Sequence, residues 1–106
     1  MHELKWSHAE KSLSRKAFEQ ALESELREVL AEFKAKASAT STPEDMWNVR
    51  TFLASKEREI QEKYDYRYSQ LIIVFARLLR EGRIREEQLA GLAEEKLVFI
   101  RRIASL

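Results

Sequence analysis

Cysteine is absent from the 106-residue chain, and the chain has only one proline and two glycines. The absence of cysteine excludes disulfide bonds, thiol catalysis and thiolate metal sites. Two widely spaced glycines cannot form a glycine-rich phosphate-binding loop. Because glycine and proline are the residues that most often interrupt regular structure, their scarcity favours long uninterrupted helices. We therefore predict an all-α protein.

A strong charge of either sign is also lacking, since 19 Lys and Arg residues face 18 Asp and Glu residues, for a formal net charge of +1. No general field draws the chain to nucleic acid or to an anionic membrane. The longest apolar run, residues 71–76, is far shorter than the roughly 20 residues that cross a bilayer. A charged N-terminus also lacks the apolar core of a signal peptide. These features predict one cytoplasmic domain without membrane insertion.

A first helix is predicted over about residues 7–37. Ser7 followed three residues later by Glu10 is a capping box. Apolar side chains then recur at helical spacing along one face, which must be buried; they are Phe18, Leu22, Leu26, Val29 and Phe33. The polar segment 38–43 is a short connection, so the next helix should fold back antiparallel to the first.

A second helix is predicted over about residues 43–81, because Thr42 can cap it, Pro43 suits its first position and no glycine or proline follows before Gly82. At ~1.5 Å per residue it would be about 58 Å long, longer than a compact globule of this size. The part of the helix that extends beyond the monomer must be buried against another chain, and we expect a second copy of the same chain. We predict a homodimer whose interface contains Phe18, Leu22, Leu26, Phe33, Val49 and Leu53.

The last third of the chain should form a small helical head. Residues 71–79 are apolar nearly all round, so neighbours must surround them. Gly82 should terminate the second helix, a short helix should follow at about 84–90, and a C-terminal helix at about 92–104. The predicted architecture is thus an elongated part of long antiparallel helices with a small head.

Candidate chemistry is sparse. His2 and His8 lack a carboxylate at helical spacing, so we predict no metal site. The polar cluster at 64–69 is better explained as the edge of a core than as a ligand site, and acids interrupt the arginines at 77, 80, 83 and 85, which favours a solvated face over a phosphate site. Because the sequence shows no nucleophile paired with a base, we predict that the protein is not an enzyme and binds no cofactor.

Trp47, near the start of the second helix, is either buried by a second chain or an anchor for a partner.

From Trp6 onward the chain resembles the fluorescence recovery protein family of cyanobacteria. The resemblance rests on these residues and motifs: Trp6-Ser7, Ala9-Glu10, Trp47, Phe52-Leu53, Lys56, Glu59-Ile60, Lys63-Tyr64-Asp65, Arg67, Ser69, Phe75-Ala76, Leu78-Leu79 and Glu81-Gly82. It implies a dimeric, all-helical protein that binds the C-terminal domain of the orange carotenoid protein. Members speed the return of the red form to the orange form, help detach it from the phycobilisome and so end photoprotective quenching.

The resemblance also implies a partner-binding face on the second helix, made of Trp47, Arg50, Thr51, Ala54 and Glu57. More typical members have histidine, aspartate and arginine where this chain has Arg50, Thr51 and Glu57, and phenylalanine and lysine where it has Ile73 and Phe99. Three functions stay open: acceleration of carotenoid-protein relaxation, interaction with a different partner, and nucleic-acid binding through the arginine-rich end. The changes at Thr51 and Glu57 favour interaction with a different partner over the carotenoid-protein function of typical members.

Overall fold

The structure is a computed structural model that describes residues 4–106 and contains four α-helices and one 3₁₀ turn. The helices are α1 (His8–Ser38), α2 (Pro43–Lys63), α3 (Leu71–Arg80) and α4 (Glu94–Ala104), with the 3₁₀ turn at Glu86–Leu89 between α3 and α4. The all-α prediction is confirmed, and no strand occurs among the described residues. His2, one half of the histidine pair considered for a metal, lies outside the described residues.

Local capping explains where α1 and α2 begin. The backbone N–H of Glu10 donates to Ser7 Oγ at 3.1 Å, and the N–H of Ser7 donates to the Glu10 carboxylate at 2.9 Å. Thr42 and Asp45 form the same reciprocal pair at the start of α2, with Pro43 in the first turn. Each pair satisfies N–H groups that the helix itself leaves without partners.

The predicted continuous helix over 43–81 is wrong, because α2 ends at Lys63 and α3 begins at Leu71. Tyr64, Tyr66 and Tyr68 alternate through the break, and all three rings lie in contact with aromatic rings of residues 6–18 or with each other. On a helix Tyr64 and Tyr66 would point about 200° apart, so they could not share this face. Tertiary packing therefore ends α2 without any glycine or proline.

The other boundaries are closer to expectation. Gly82, at φ +75°, ends α3: its N–H donates to the Leu79 carbonyl and the N–H of Arg83 donates to the Leu78 carbonyl, the pattern of a Schellman motif. The helix expected at 84–90 is a single 3₁₀ turn, and the last helix begins at Glu94 rather than near residue 92.

Two regions of different character result, which we call the arm, residues 22–63, and the head, residues 4–21 together with 64–106. The head contains the buried apolar core, centred on Phe75, Leu71 and Leu78 of α3, each at 0% exposure. The arm is the hairpin of α2 and the second half of α1. It gives the molecule extents of 54 × 24 × 23 Å and a radius of gyration of 16.9 Å, against about 13 Å for a compact chain of this length.

Candidate interaction surfaces

The predicted partner-binding face lies on the arm, in the first four turns of α2. Trp47, Arg50, Thr51, Ala54 and Glu57 are all exposed. The Trp47 side chain is 55% exposed, and Met46 beside it is 50% exposed. Trp47 is therefore not buried within its own chain, and the choice between cover by a second copy and contact with a partner stays open on geometry alone. Sequence reasoning missed Met46, whose apolar character next to Trp47 was the available signal.

Two polar contacts shape the face around Trp47. The guanidinium carbon of Arg50 lies 5.8 Å from the centroid of the Trp47 ring, at the outer limit of a cation–π contact. Thr51 Oγ1 donates to the backbone carbonyl of Trp47 at 3.1 Å. The Thr51 hydroxyl is thus used within the helix, and the face presents one cation, Arg50, and one carboxylate, Glu57, beside an indole ring.

The turn that joins α1 to α2 holds this face in place. Asp45 accepts hydrogen bonds from the N–H groups of Ser41 and Thr42 and from Ser41 Oγ, at 3.0 to 3.2 Å. The hydrogen bond from the Ser41 backbone is the main reason that the pKa of Asp45 lies below its ordinary value. The connection is therefore fixed by one carboxylate, which orients the first turn of α2 and Trp47 with it.

The residues predicted for a dimer interface do not form one class. Phe18 is 5% exposed and packs edge-on against Tyr64 and Tyr66, with ring centroids 5.4 and 4.8 Å apart. These contacts are within the head of its own chain, so Phe18 offers little surface to a second copy. Leu22 is half-buried and packs against the same core.

The other four lie along the arm. Leu26 and Leu53 are 43% and 37% exposed, whereas Phe33 and Val49 are half-buried. Leu30, at 47% exposure, extends the apolar surface. A single chain thus leaves large aliphatic side chains of the arm in water, which is typical of a protein-interaction surface.

A network of charged side chains joins the arm to the head where α2 ends. Lys63, 5% exposed, donates to Glu25 at 2.7 Å and to Glu81 at 2.8 Å. Tyr64 donates to Glu25 at 2.7 Å, and burial together with this bond raises the pKa of Tyr64. Burial alone would raise the pKa of Glu81, but hydrogen bonds from Lys63 and Arg77 outweigh it and leave that pKa lowered. The sequence did not predict this network, since Glu25 and Lys63 are 38 residues apart.

A second buried ion pair fastens the start of α1 to α4. Lys96, 4% exposed, donates to both carboxylate oxygens of Glu10 at 3.0 and 3.1 Å and to the carbonyl of Lys5 at 2.6 Å. The N–H of Ala93 also donates to Glu10, at 2.8 Å. Burial would raise the pKa of Glu10, but hydrogen bonds from the backbone of Ser7 and Ala93 and from Lys96 lower it to about 2.

Nothing in the described residues resembles a catalytic or metal centre. No group of three His, Asp or Glu residues within 4–106 could hold a metal ion. In the same part of the chain, no helix is both long and apolar enough to cross a bilayer.

A family model described as the photoprotection regulator fluorescence recovery protein matches residues 6–104, nearly the whole chain. The chain belongs to the fluorescence recovery protein family. It is 40% identical over 104 residues to the fluorescence recovery protein of Synechocystis sp., covering 98% of this chain and 95% of that protein. The family is one of photoprotection regulators.

Solved structures of the family share the fold. The fluorescence recovery protein of Fremyella diplosiphon superposes with a TM-score of 0.89 at 35% identity, over 96% of this chain and 100% of that one. The Synechocystis sp. PCC 6803 protein gives the same TM-score and coverage at 40% identity. The overall fold of this chain is thus the fold of these two solved family structures.

Proposed function

We propose that this chain binds an orange carotenoid protein through the Trp47 face of the arm and speeds the return of its red, photoactivated form to the orange form. The proposal is carried by one observation: Trp47 is more than half exposed at the start of a well-capped helix, with Arg50, Thr51, Ala54 and Glu57 exposed around it. Membership of a family of photoprotection regulators supplies the class of partner. The action is non-enzymatic and cytoplasmic.

Acceleration requires differential affinity. A binding protein speeds a conformational change only if it binds the transition state or the product arrangement better than the starting arrangement. An exposed indole flanked by a cation and a carboxylate gives an apolar anchor with two orienting charges. Such a face can hold a carotenoid-protein domain in the compact, dark arrangement.

We propose further that the chain acts as a homodimer that buries the exposed aliphatic surface of the arm. Leu26, Leu30 and Leu53 lie on this surface. A second copy of the chain can bury this surface without any other protein, because in a two-fold dimer the arm of each chain packs on the arm of the other.

The experiment is recovery of the orange absorbance in the dark after illumination of purified orange carotenoid protein. The chain should raise the rate constant, and Trp47→Ala should reduce that gain at least tenfold. Val98→Ala, which truncates a 40% exposed side chain on the head, is the matched control and should leave the gain intact. Equal loss in both variants, or no acceleration by the unmodified chain, would contradict the proposal.

A second candidate is action on a different partner, and the state of Thr51 favours it. Its hydroxyl donates to the Trp47 carbonyl and offers no charge where the resemblance gives typical members an aspartate. Glu57 is an exposed carboxylate where they present an arginine. If no orange carotenoid protein responds to the chain, a partner with a basic surface opposite Glu57 becomes the better hypothesis.

A further inference from the structure

A patch of aromatic rings and cations lies on the head, away from the arm. We call it the basic aromatic patch and define it as Trp6, Lys11, Arg15, Tyr66 and Tyr68. Tyr68 lies 5.7 Å from both Trp6 and Tyr66, measured between ring centroids. Tyr68 is 38% exposed, and Trp6 and Tyr66 are half-buried. The rings therefore form a continuous surface that is anchored in the head and still meets solvent.

Two cations of α1 lie on these rings. The Arg15 guanidinium carbon is 3.8 Å from the centroid of Tyr66, and Lys11 Nζ is 5.2 Å from that of Tyr68. A guanidinium this close to a ring makes a cation–π contact and still has N–H groups that can donate to a carboxylate. Within residues 4–106, its contact with an acid is a long one, 3.8 Å to Glu19, between side chains that are 54% and 62% exposed. A stronger acceptor can replace such a contact.

The charge of α1 changes sign along its length. Residues 8–20 carry three exposed cations, Lys11, Arg15 and Lys16, against one exposed acid, Glu19, because Glu10 is buried with Lys96. Residues 23–32 carry four acids and one arginine. A local positive field therefore exists at the head although the whole chain has a net charge of only +1.

We propose that the basic aromatic patch docks an acidic, extended peptide segment of a partner protein. Carboxylates of the segment would bond to Arg15 and Lys11, and its apolar stems would lie on Tyr68. A nucleic acid or a bilayer is less suited, because either needs many cations over a wide area and the patch contains few. The patch is a second surface, independent of Trp47, since the turn after α1 lies about 40 Å from Lys11 along the helix.

The test is fluorescence anisotropy of a fluorescein-labelled poly-glutamate peptide titrated with the full chain. Lys11→Glu with Arg15→Glu should weaken binding at least tenfold. Arg27→Glu with Lys34→Glu makes the same change of charge on exposed positions of α1 in the arm, and should change binding less than threefold. Lys11→Gln with Arg15→Gln should weaken binding too, and circular dichroism should show every variant helical.

Three results would overturn the proposal. One is equal binding of poly-glutamate and poly-lysine by the unmodified chain. Another is equal loss in the patch variant and the arm variant, which would mean that net charge alone matters. The third is tighter binding of single-stranded DNA or of phosphatidylglycerol vesicles than of poly-glutamate.

Discussion

The head and the arm bury their apolar side chains in different ways. In the head, Phe75, Leu71 and Leu78 are covered completely by other elements of the same chain. In the arm, Leu26, Leu30, Met46, Trp47 and Leu53 stay between 37% and 55% exposed. The difference indicates that the head supplies the stability of the fold, whereas the arm presents surface to other molecules.

The largest expected effect is in the head. Phe75→Ala should lower the free energy of unfolding by about 3 to 5 kcal/mol, because it leaves a cavity among fully buried neighbours. Chemical denaturation at several protein concentrations measures this. The loss should be the same at each concentration, whereas the loss from Leu30→Ala should grow with concentration if a second chain covers Leu30. If both variants lose the same free energy of unfolding at every protein concentration, the proposed difference between head and arm is contradicted.

The next largest expected effect is the loss of stability of the head at low pH, when the Glu10 carboxylate becomes protonated. Its pKa falls from 4.5 to about 2 on folding, so its contribution is fully present above pH 4.5 and is lost as the pH falls toward 2. A shift of this size corresponds to up to about 3 kcal/mol. Denaturation midpoints measured from pH 6 to pH 2 should fall less steeply for Glu10→Gln with Lys96→Met than for the unmodified chain. Identical slopes would show that the ion pair contributes nothing.

In the arm, the expected change is in assembly more than in folding. Leu26→Glu and Leu53→Glu each place a carboxylate on the proposed contact, where burial without a partner is costly. Sedimentation velocity should show single chains that remain helical by circular dichroism. Glu23→Ala, at an exposed arm position where Glu23 pairs with Arg27 of the next turn, is the control and should leave the assembly intact. If both leucine variants sediment like the unmodified chain, the contact lies elsewhere.

The smallest effect concerns specificity on the arm. Thr51→Asp with Glu57→Arg should raise the recovery rate constant of an orange carotenoid protein a few-fold, and adding Trp47→Ala should remove the gain. Asn48→Asp with Glu59→Arg makes the same change of charge on another side of α2 and should have no effect. A gain from the control pair would mean that charge in general, and not this face, sets the rate.

Much of this molecule follows from local sequence. The starts of α1 and α2 are set by Ser7 with Glu10 and by Thr42 with Asp45, and each pair acts within three residues. Gly82 ends α3 for an equally local reason. These features were predictable because the capping hydrogen bonds themselves form between residues of one helical turn.

The break between α2 and α3 was not predicted, because it depends on contacts with Phe18 and Trp6, far away along the chain. A signal was present all the same. Tyr64, Tyr66 and Tyr68 alternate with Asp65 and Arg67, a period of two that is typical of extended backbone. The bond from Arg67 Nε to Asp65 at 2.8 Å fits that geometry, since residues two apart share a face only when extended.

The candidate surfaces also include some features that local sequence predicts and others that depend on residues far apart in the chain. Helical spacing placed Trp47, Arg50 and Ala54 on one face of α2, and all are exposed. Lys96 with Glu10 could not be predicted, because 86 residues separate the two. The basic aromatic patch combines residues of both α1 and the break, so it exists only once the chain has folded.

The account depends most on the arm being a surface that a second copy covers. Multi-angle light scattering of the unmodified chain at micromolar concentration measures this directly. The account predicts twice the chain mass of 12.5 kDa, with small-angle scattering from an elongated particle. A monodisperse particle of the single-chain mass at that concentration would contradict it.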